Sequence, residues 1–239
     1  QGKYTAAIEK CNQALLLKPD HAEVYNTIAS VLLKKGLYDE AIENYRQALH
    51  FKPDYADAHI NLGMALLLCG SFQEGWDEYK WRVKTKKAII YPHLHELPCW
   101  DGSPFVGKRL LVHYEQGLGD NIQFLRYLPM VKSRGGTVIC KMLKPLIGLL
   151  RDLPGIDELI DASSDSNSDG EFDFYVPLLE LPRIFETSLE TIPAKIPYLF
   201  ADPTKVEYWQ HRFSEYGRFA NRPYKVGIVW AGKPAHTED

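Results

Sequence analysis

One segment of the chain concentrates the residue types that chemistry would need: Glu115-Gln116-Gly117-Leu118-Gly119-Asp120-Asn121. Gly117 and Gly119 let the backbone turn sharply and approach a ligand closely. The preceding run, Arg109-Leu110-Leu111-Val112-His113-Tyr114, is short and apolar and predicts a buried strand. Beyond the loop, Ile122, Leu125, Leu128 and Val131 recur at helical spacing and predict a helix from Asn121 to about Ser133, stopped by Gly135-Gly136. Open α/β sheets bind ligands at such a point, between a strand's carboxyl end and a helix N-terminus with free N–H groups. Asp120 has two readings that spacing leaves open: it faces a ligand, or it caps its own helix.

Other chemistries fit less well. Gly117-Leu118-Gly119 lacks the third glycine of a dinucleotide fingerprint, and Asp120 would repel a pyrophosphate. Gly102-Ser103-Pro104-Phe105-Val106-Gly107-Lys108 has P-loop spacing, but Arg109 stands where a magnesium-binding hydroxyl belongs, and a strand follows instead of preceding it. His93 and His95 lie in a proline-bounded stretch and read as solvated, while His113 reads as a satisfied strand residue. There is no GxSxG elbow and no DxD triplet, so neither a serine nucleophile nor a metal site is expected. Cys11, Cys69, Cys99 and Cys140 form no CxxC pair, which points to a reducing cytosol and hence a cytoplasmic protein. The 28 basic and 31 acidic residues leave a net charge of −3, which argues against a nucleic-acid partner. No apolar run reaches the roughly 18 residues of a membrane span, and no charged-then-apolar leader opens the chain.

The elements that must position the loop follow from the rest of the sequence. Thr137-Val138-Ile139-Cys140 predicts a second strand and Pro145 to Leu153 a second helix, with proline in its first turn. Leu159-Ile160, Phe172 to Val176 and Val226 to Trp230 predict further strands, and residues 162–170 a polar loop around Asp165. Strands alternating with helices imply a parallel sheet. Prolines and glycines make 89–107 an irregular linker before it.

The first third repeats itself. Lys18-Pro19-Asp20 and Lys52-Pro53-Asp54 are 34 residues apart, as are Gly2, Gly36 and Gly70, then Tyr4, Tyr38 and Phe72, then Ala7, Ala41 and Gly75, and finally Ala14, Ala48 and Arg82. This period and pattern resembles the tetratricopeptide repeat, a helical hairpin that stacks on its neighbours. Half a repeat occupies 1–21 and full repeats 22–55 and 56–88, a TPR region expected to bind a protein or peptide partner. Trp76, Tyr79 and Trp81 are expected to pack the terminal repeat on the following domain.

A second resemblance covers most of the chain. Trp100-Asp101-Gly102, Gly107 to Val112, Glu115 to Pro129, Leu153 to Glu158, Ile196 to Leu199 and Val226 to Gly232 look like the bacterial TPR–glycosyltransferase fusion proteins. Their transferase part is similar to the heptosyltransferases of glycosyltransferase family nine. The resemblance implies a GT-B fold, two Rossmann-like domains across a cleft, with the acceptor-side domain at 108–217 and the start of a truncated donor domain at 218–239. It implies that Asp120 is the catalytic base that takes the acceptor's proton. Glu115, Gln116, Gly117, Gly119, Asn121, Gln123 and Arg126 would line the acceptor, and Gly232, Lys233 and His236 the donor side. A nucleotide sugar would be substrate, with no metal and no cofactor, and the fragment alone would be inactive. The alternatives are a non-catalytic scaffold and an epimerase of the same fold.

Overall fold

A computed structural model describes residues 2–85, 97–163 and 172–215. His93, His95, the loop around Asp165, the Val226 to Trp230 run and the donor-side residues Gly232, Lys233 and His236 lie outside the described residues.

Five helices come first: α1 Gly2–Leu17, α2 Ala22–Lys34, α3 Tyr38–Phe51, α4 Ala56–Leu68 and α5 Phe72–Tyr79. Consecutive helices pack as antiparallel neighbours because short turns join them. Gly36 and Gly70, with φ of 79° and 84°, make two of those turns in the left-handed region that side chains avoid. Ala29, Ala41 and Ala65 are fully buried and let the helices approach, while Ile28, Leu32, Tyr45, Leu62 and Leu66 fill the space between them. α4 and α5 approach closely at Gly63, where a Cβ would lie 2.6 Å from the Tyr79 nitrogen. The last helix stops at Tyr79 and tightens into a 3-10 turn over Lys80–Lys84.

A four-stranded sheet follows, built from β1 Arg109–His113, β2 Thr137–Met142, β3 Glu158–Asp161 and β4 Phe174–Pro177. Its order is β3-β2-β1-β4 and every pairing is parallel, with Leu111 opposite both Ile139 and Tyr175. Leu110, Leu111, Val112, Val138, Ile139, Cys140 and Val176 are fully buried, as parallel strands covered on both faces require. The crossovers carry α6 Leu118–Phe124, α7 Leu128–Lys132 and α8 Lys144–Leu150, and α9 Leu181–Ile184 follows β4.

The structure differs from the sequence reading at the first crossover helix and at the 89–107 stretch. The predicted helix from Asn121 to Ser133 begins three residues earlier, at Leu118, because Gly117 serves as its N-cap. It also breaks at Leu125–Tyr127, just before Pro129, which has no N–H to return to the preceding turn. Secondly, the described end of the 89–107 stretch is packed. Cys99 bridges Tyr175 in parallel, Trp100 N–H donates to Tyr175 O at 2.8 Å, and Trp100 and Phe105 are buried. Aromatic residues in a proline-rich stretch outweigh its local irregularity because each buries a large apolar area.

A second compact unit starts at Leu199 and contains α10 Pro203–Glu215. Asp202 Oδ1 accepts the Thr204 N–H at 2.8 Å and caps this helix. Among the described residues no helix is long and apolar enough to cross a membrane.

Candidate functional site

The loop between β1 and α6 leaves the carboxyl end of β1, beside the turn that leaves β4. Its shape is set from inside by Asn121, which is fully buried. Asn121 Nδ2 donates to Glu115 O at 2.8 Å and Gly117 O at 2.6 Å, and Asn121 Oδ1 accepts from Glu115 N–H at 3.3 Å. Asn121 therefore holds the loop together and has little left to offer a ligand.

Asp120 is the third residue of α6, not the first. Its Oδ2 accepts the Gly117 N–H at 3.0 Å, reaching back over the first turn. One oxygen thus acts as a cap, and the second makes no hydrogen bond to a described residue. Asp120 itself is half-buried.

The loop is also held from outside by the last helical repeat. Gln116 adopts a left-handed φ of 57°, which costs a residue with a side chain on the order of 1 kcal/mol. Its Nε2 donates to Tyr79 Oη at 2.6 Å, a bond that offsets the strain. Glu115 is held by Arg82 and by the turn after β4. Arg82 Nε donates to Glu115 Oε1 at 3.1 Å and Arg82 Nη2 to Oε2 at 2.9 Å, while Leu179 N–H donates to the same Oε2 at 3.2 Å.

Arg82 is the residue that sequence reasoning missed. It also donates through Nη1 to Tyr79 O and to Glu180 Oε2, both at 3.2 Å, and Glu180 pairs in turn with Arg183. Arg82 and Glu180 are nearly fully buried. Burial works against the guanidinium charge, but the carboxylates of Glu115 and Glu180 outweigh it and raise the Arg82 pKa further above its usual range. The signal was present in the repeat: Arg82 occupies the place of Ala14 and Ala48. A long cation where packing demands a small residue must find carboxylates elsewhere.

The expected aromatic junction is partly corrected. Trp76 meets Phe124 of α6 edge-on at 6.0 Å, and Tyr79 bonds Gln116. Trp81 instead stays inside its own repeat, stacked on His59 at 3.8 Å with Lys84 Nζ 3.5 Å from its ring centre. The 3-10 turn rotates the face presented by residues 80–84, so Arg82 takes the direction predicted for Trp81.

Gln123 is exposed on α6, and Arg126 follows it in the next turn. Arg126 donates to Gln123 O at 2.9 Å, Pro193 O at 3.2 Å and Tyr198 Oη at 3.3 Å. His113 is buried, bonds Tyr114 O through Nδ1 at 3.1 Å and stacks with Tyr175. Desolvation pushes its pKa below the ordinary histidine value. Among the described residues no group of three or more His, Cys, Asp or Glu is placed to hold a metal ion.

Sequence models of the tetratricopeptide repeat match residues 1–43 and 29–70. Residues 1–70 are tetratricopeptide repeats. The chain is similar to several proteins. Protein FlbA of Caulobacter vibrioides is 24% identical over 156 residues, a match covering 58% of this chain and 25% of FlbA. The chain therefore spans about a quarter of the length of this curated relative. A crystal structure of MamA is 27% identical, covering 34% of this chain and 48% of that one, with a TM-score of 0.33. The second tetratricopeptide domain of Spaghetti (RPAP3), bound to the HSP90 peptide SRMEEVD, is 25% identical and covers 35% of this chain and 77% of that one, with a TM-score of 0.33.

Proposed function

We propose that the tetratricopeptide array binds a polypeptide and presents it to the acceptor-side half of a sugar transferase formed by the parallel-sheet unit. The observation that carries this reading is Arg82, which joins the last repeat to the turns after β1 and β4 through Glu115 and Glu180. Recruitment surface and candidate catalytic loop then move as one body. For the binding half, Asn26 of α2 and Asn61 of α4 are half-exposed on facing helices, with Asn61 Nδ2 donating to Asn26 Oδ1 at 3.0 Å. Each amide retains a free N–H, and Asn61 retains its carbonyl oxygen, groups that suit a peptide main chain. For the transfer half, the support is the resemblance of residues 115–129 and the parallel sheet that carries Asp120 on a strand-to-helix loop. Asp120 would accept the acceptor hydroxyl's proton on its unbonded oxygen as that hydroxyl attacks the anomeric carbon of the nucleotide sugar and the nucleoside diphosphate leaves with the bonding electron pair.

The test is transfer from UDP-, ADP- and GDP-sugars onto polypeptides by a longer protein that includes the donor-binding half. Asn26→Ala with Asn61→Ala should raise KM for the polypeptide and leave kcat near its starting value. No transfer with any donor, together with unchanged peptide binding in the double variant, would overturn both halves. A second reading, a non-catalytic scaffold, is favoured by the bond between Asp120 Oδ2 and Gly117 N–H, which gives the carboxylate a structural task.

A further inference from the structure

A cavity of about 130 Å³ opens where the last repeat meets the sheet unit, and Gln123 and Arg126 are among its lining residues. Phe72 and Trp76 of α5 form one wall, Phe124, Arg126 and Tyr127 another, with Thr187 and Ile192 below. The rings are fixed by their neighbours: Trp76 lies edge-on to Phe124, Phe124 stacks with Tyr127 at 6.3 Å, and Tyr127 Oη bonds Thr187 Oγ1 at 2.9 Å. The walls are therefore flat, apolar and preformed. One charge faces them. Arg126 makes three hydrogen bonds, all to neutral oxygens, and its five N–H groups leave two unused. Its guanidinium lies over the Tyr198 ring, 4.7 Å from the ring centre, but has no described carboxylate within bonding distance, in contrast to Arg82, which has two.

We propose that this cavity binds a carboxylate carried on a flat apolar body, such as an aryl carboxylate. The guanidinium fork suits a carboxylate's two oxygens, and aromatic faces suit a planar apolar group. A bare carboxylate would leave the walls unfilled, and a neutral aryl group would leave the cation without an anionic partner. This site shares Gln123 and Arg126 with the expected acceptor side, but its ligand class goes beyond the reading above and its test requires neither sugar transfer nor peptide binding by the array.

Titration with phenylacetate, followed by the NMR signals of the Trp76 indole and the Phe124 ring, tests the proposal. Phenylacetate should bind with a Kd of about 1 mM, and acetate and phenylacetamide about tenfold or more weaker. Phe72→Glu puts a like charge in the wall without touching the bonds of Arg126, and should weaken phenylacetate about tenfold or more. Arg126→Gln should do the same, and Arg126→Lys should retain measurable binding. Should Arg126→Gln unfold, Phe72→Glu decides. Equal affinity for phenylacetamide would overturn the role of the charge. Glucuronate binding as tightly as phenylacetate would overturn the apolar body in favour of an acidic sugar. Absence of any shift at about 20 mM phenylacetate would overturn the site itself.

Discussion

Arg82 meets both carboxylate oxygens of Glu115, at 3.1 and 2.9 Å, across 33 residues of sequence. The pair joins the end of the helical array to the start of the candidate catalytic loop. Buried ion pairs contribute little net stability, because desolvating the charges costs nearly what their attraction returns. Their value lies in geometry, since a buried charge tolerates only the arrangement that pairs it. Glu180 completes the arrangement from the turn after β4. The direction in which the repeats leave the sheet is thereby tied to the shape of the loop that holds Asp120.

Removing Arg82 should therefore hurt more than the pair ever contributed. Arg82→Ala leaves Glu115 and Glu180 buried without their cation and should cost about 3–5 kcal/mol in urea unfolding. Arg82→Met combined with Glu115→Gln and Glu180→Gln should recover part of that loss, because no charge is left stranded. A cost below about 1 kcal/mol for Arg82→Ala would show that the junction is solvated and the repeats are free to reorient.

Much of this was legible in sequence. The period of 34 located the helical hairpins, because each hairpin must satisfy the same packing with the same residue sizes. The four described strands were legible as apolar runs, with ends shifted by one or two residues. Hidden features depended on distant partners. Nothing local to Trp81 indicates that His59 takes its face, and nothing near Asn121 says that its amide closes a loop. The broken helix after Phe124 was foreshadowed by Pro129, whose effect the apolar spacing masked.

The relocation of Trp81 gives a prediction that separates repeat from junction. Trp81→Ala should destabilise the second full repeat by about 1–2 kcal/mol through loss of its stacking on His59. Hydrogen exchange in α4 should accelerate while protection of the 115–121 loop stays near its original level. Equal acceleration in both would place Trp81 in the junction after all.

His113 sets a pH dependence. Its folded pKa lies below the ordinary value of 6.5 because burial disfavours the imidazolium. The unfolded chain then binds the proton more readily, so this contribution to stability is fully present above about pH 6.5 and falls as pH drops below it. Glu23, held near 2 by its hydrogen bond to Lys52, titrates lower and loses its contribution only as pH falls from about 4.5 toward 2. Unfolding at pH 7.5 and 5.5 should show a smaller decline in His113→Gln than in the parent chain. An identical decline would assign the window to other groups.

The final prediction concerns Asp120, where the two readings diverge. Asp120→Asn keeps an oxygen that can accept the Gly117 N–H, so folding should change little. Asp120→Ala removes the acceptor and should cost about 0.5–2 kcal/mol whatever the function. Turnover is the discriminating measurement. If Asp120 is a general base, the amide cannot take a proton, and transfer by the longer protein should fall roughly 10²–10⁴-fold in the Asn variant, with donor affinity nearly constant. If Asp120 only shapes the loop, the Asn variant should turn over normally and the Ala variant should lose activity in proportion to its lost stability. Both variants must be measured for melting and for turnover, because the hydrogen bond to Gly117 makes a loss of activity in Ala alone ambiguous. Full activity in the Asn variant would remove Asp120 from the chemistry. It would also turn attention to donor-side residues, since Glu115 is already committed to Arg82 and Leu179.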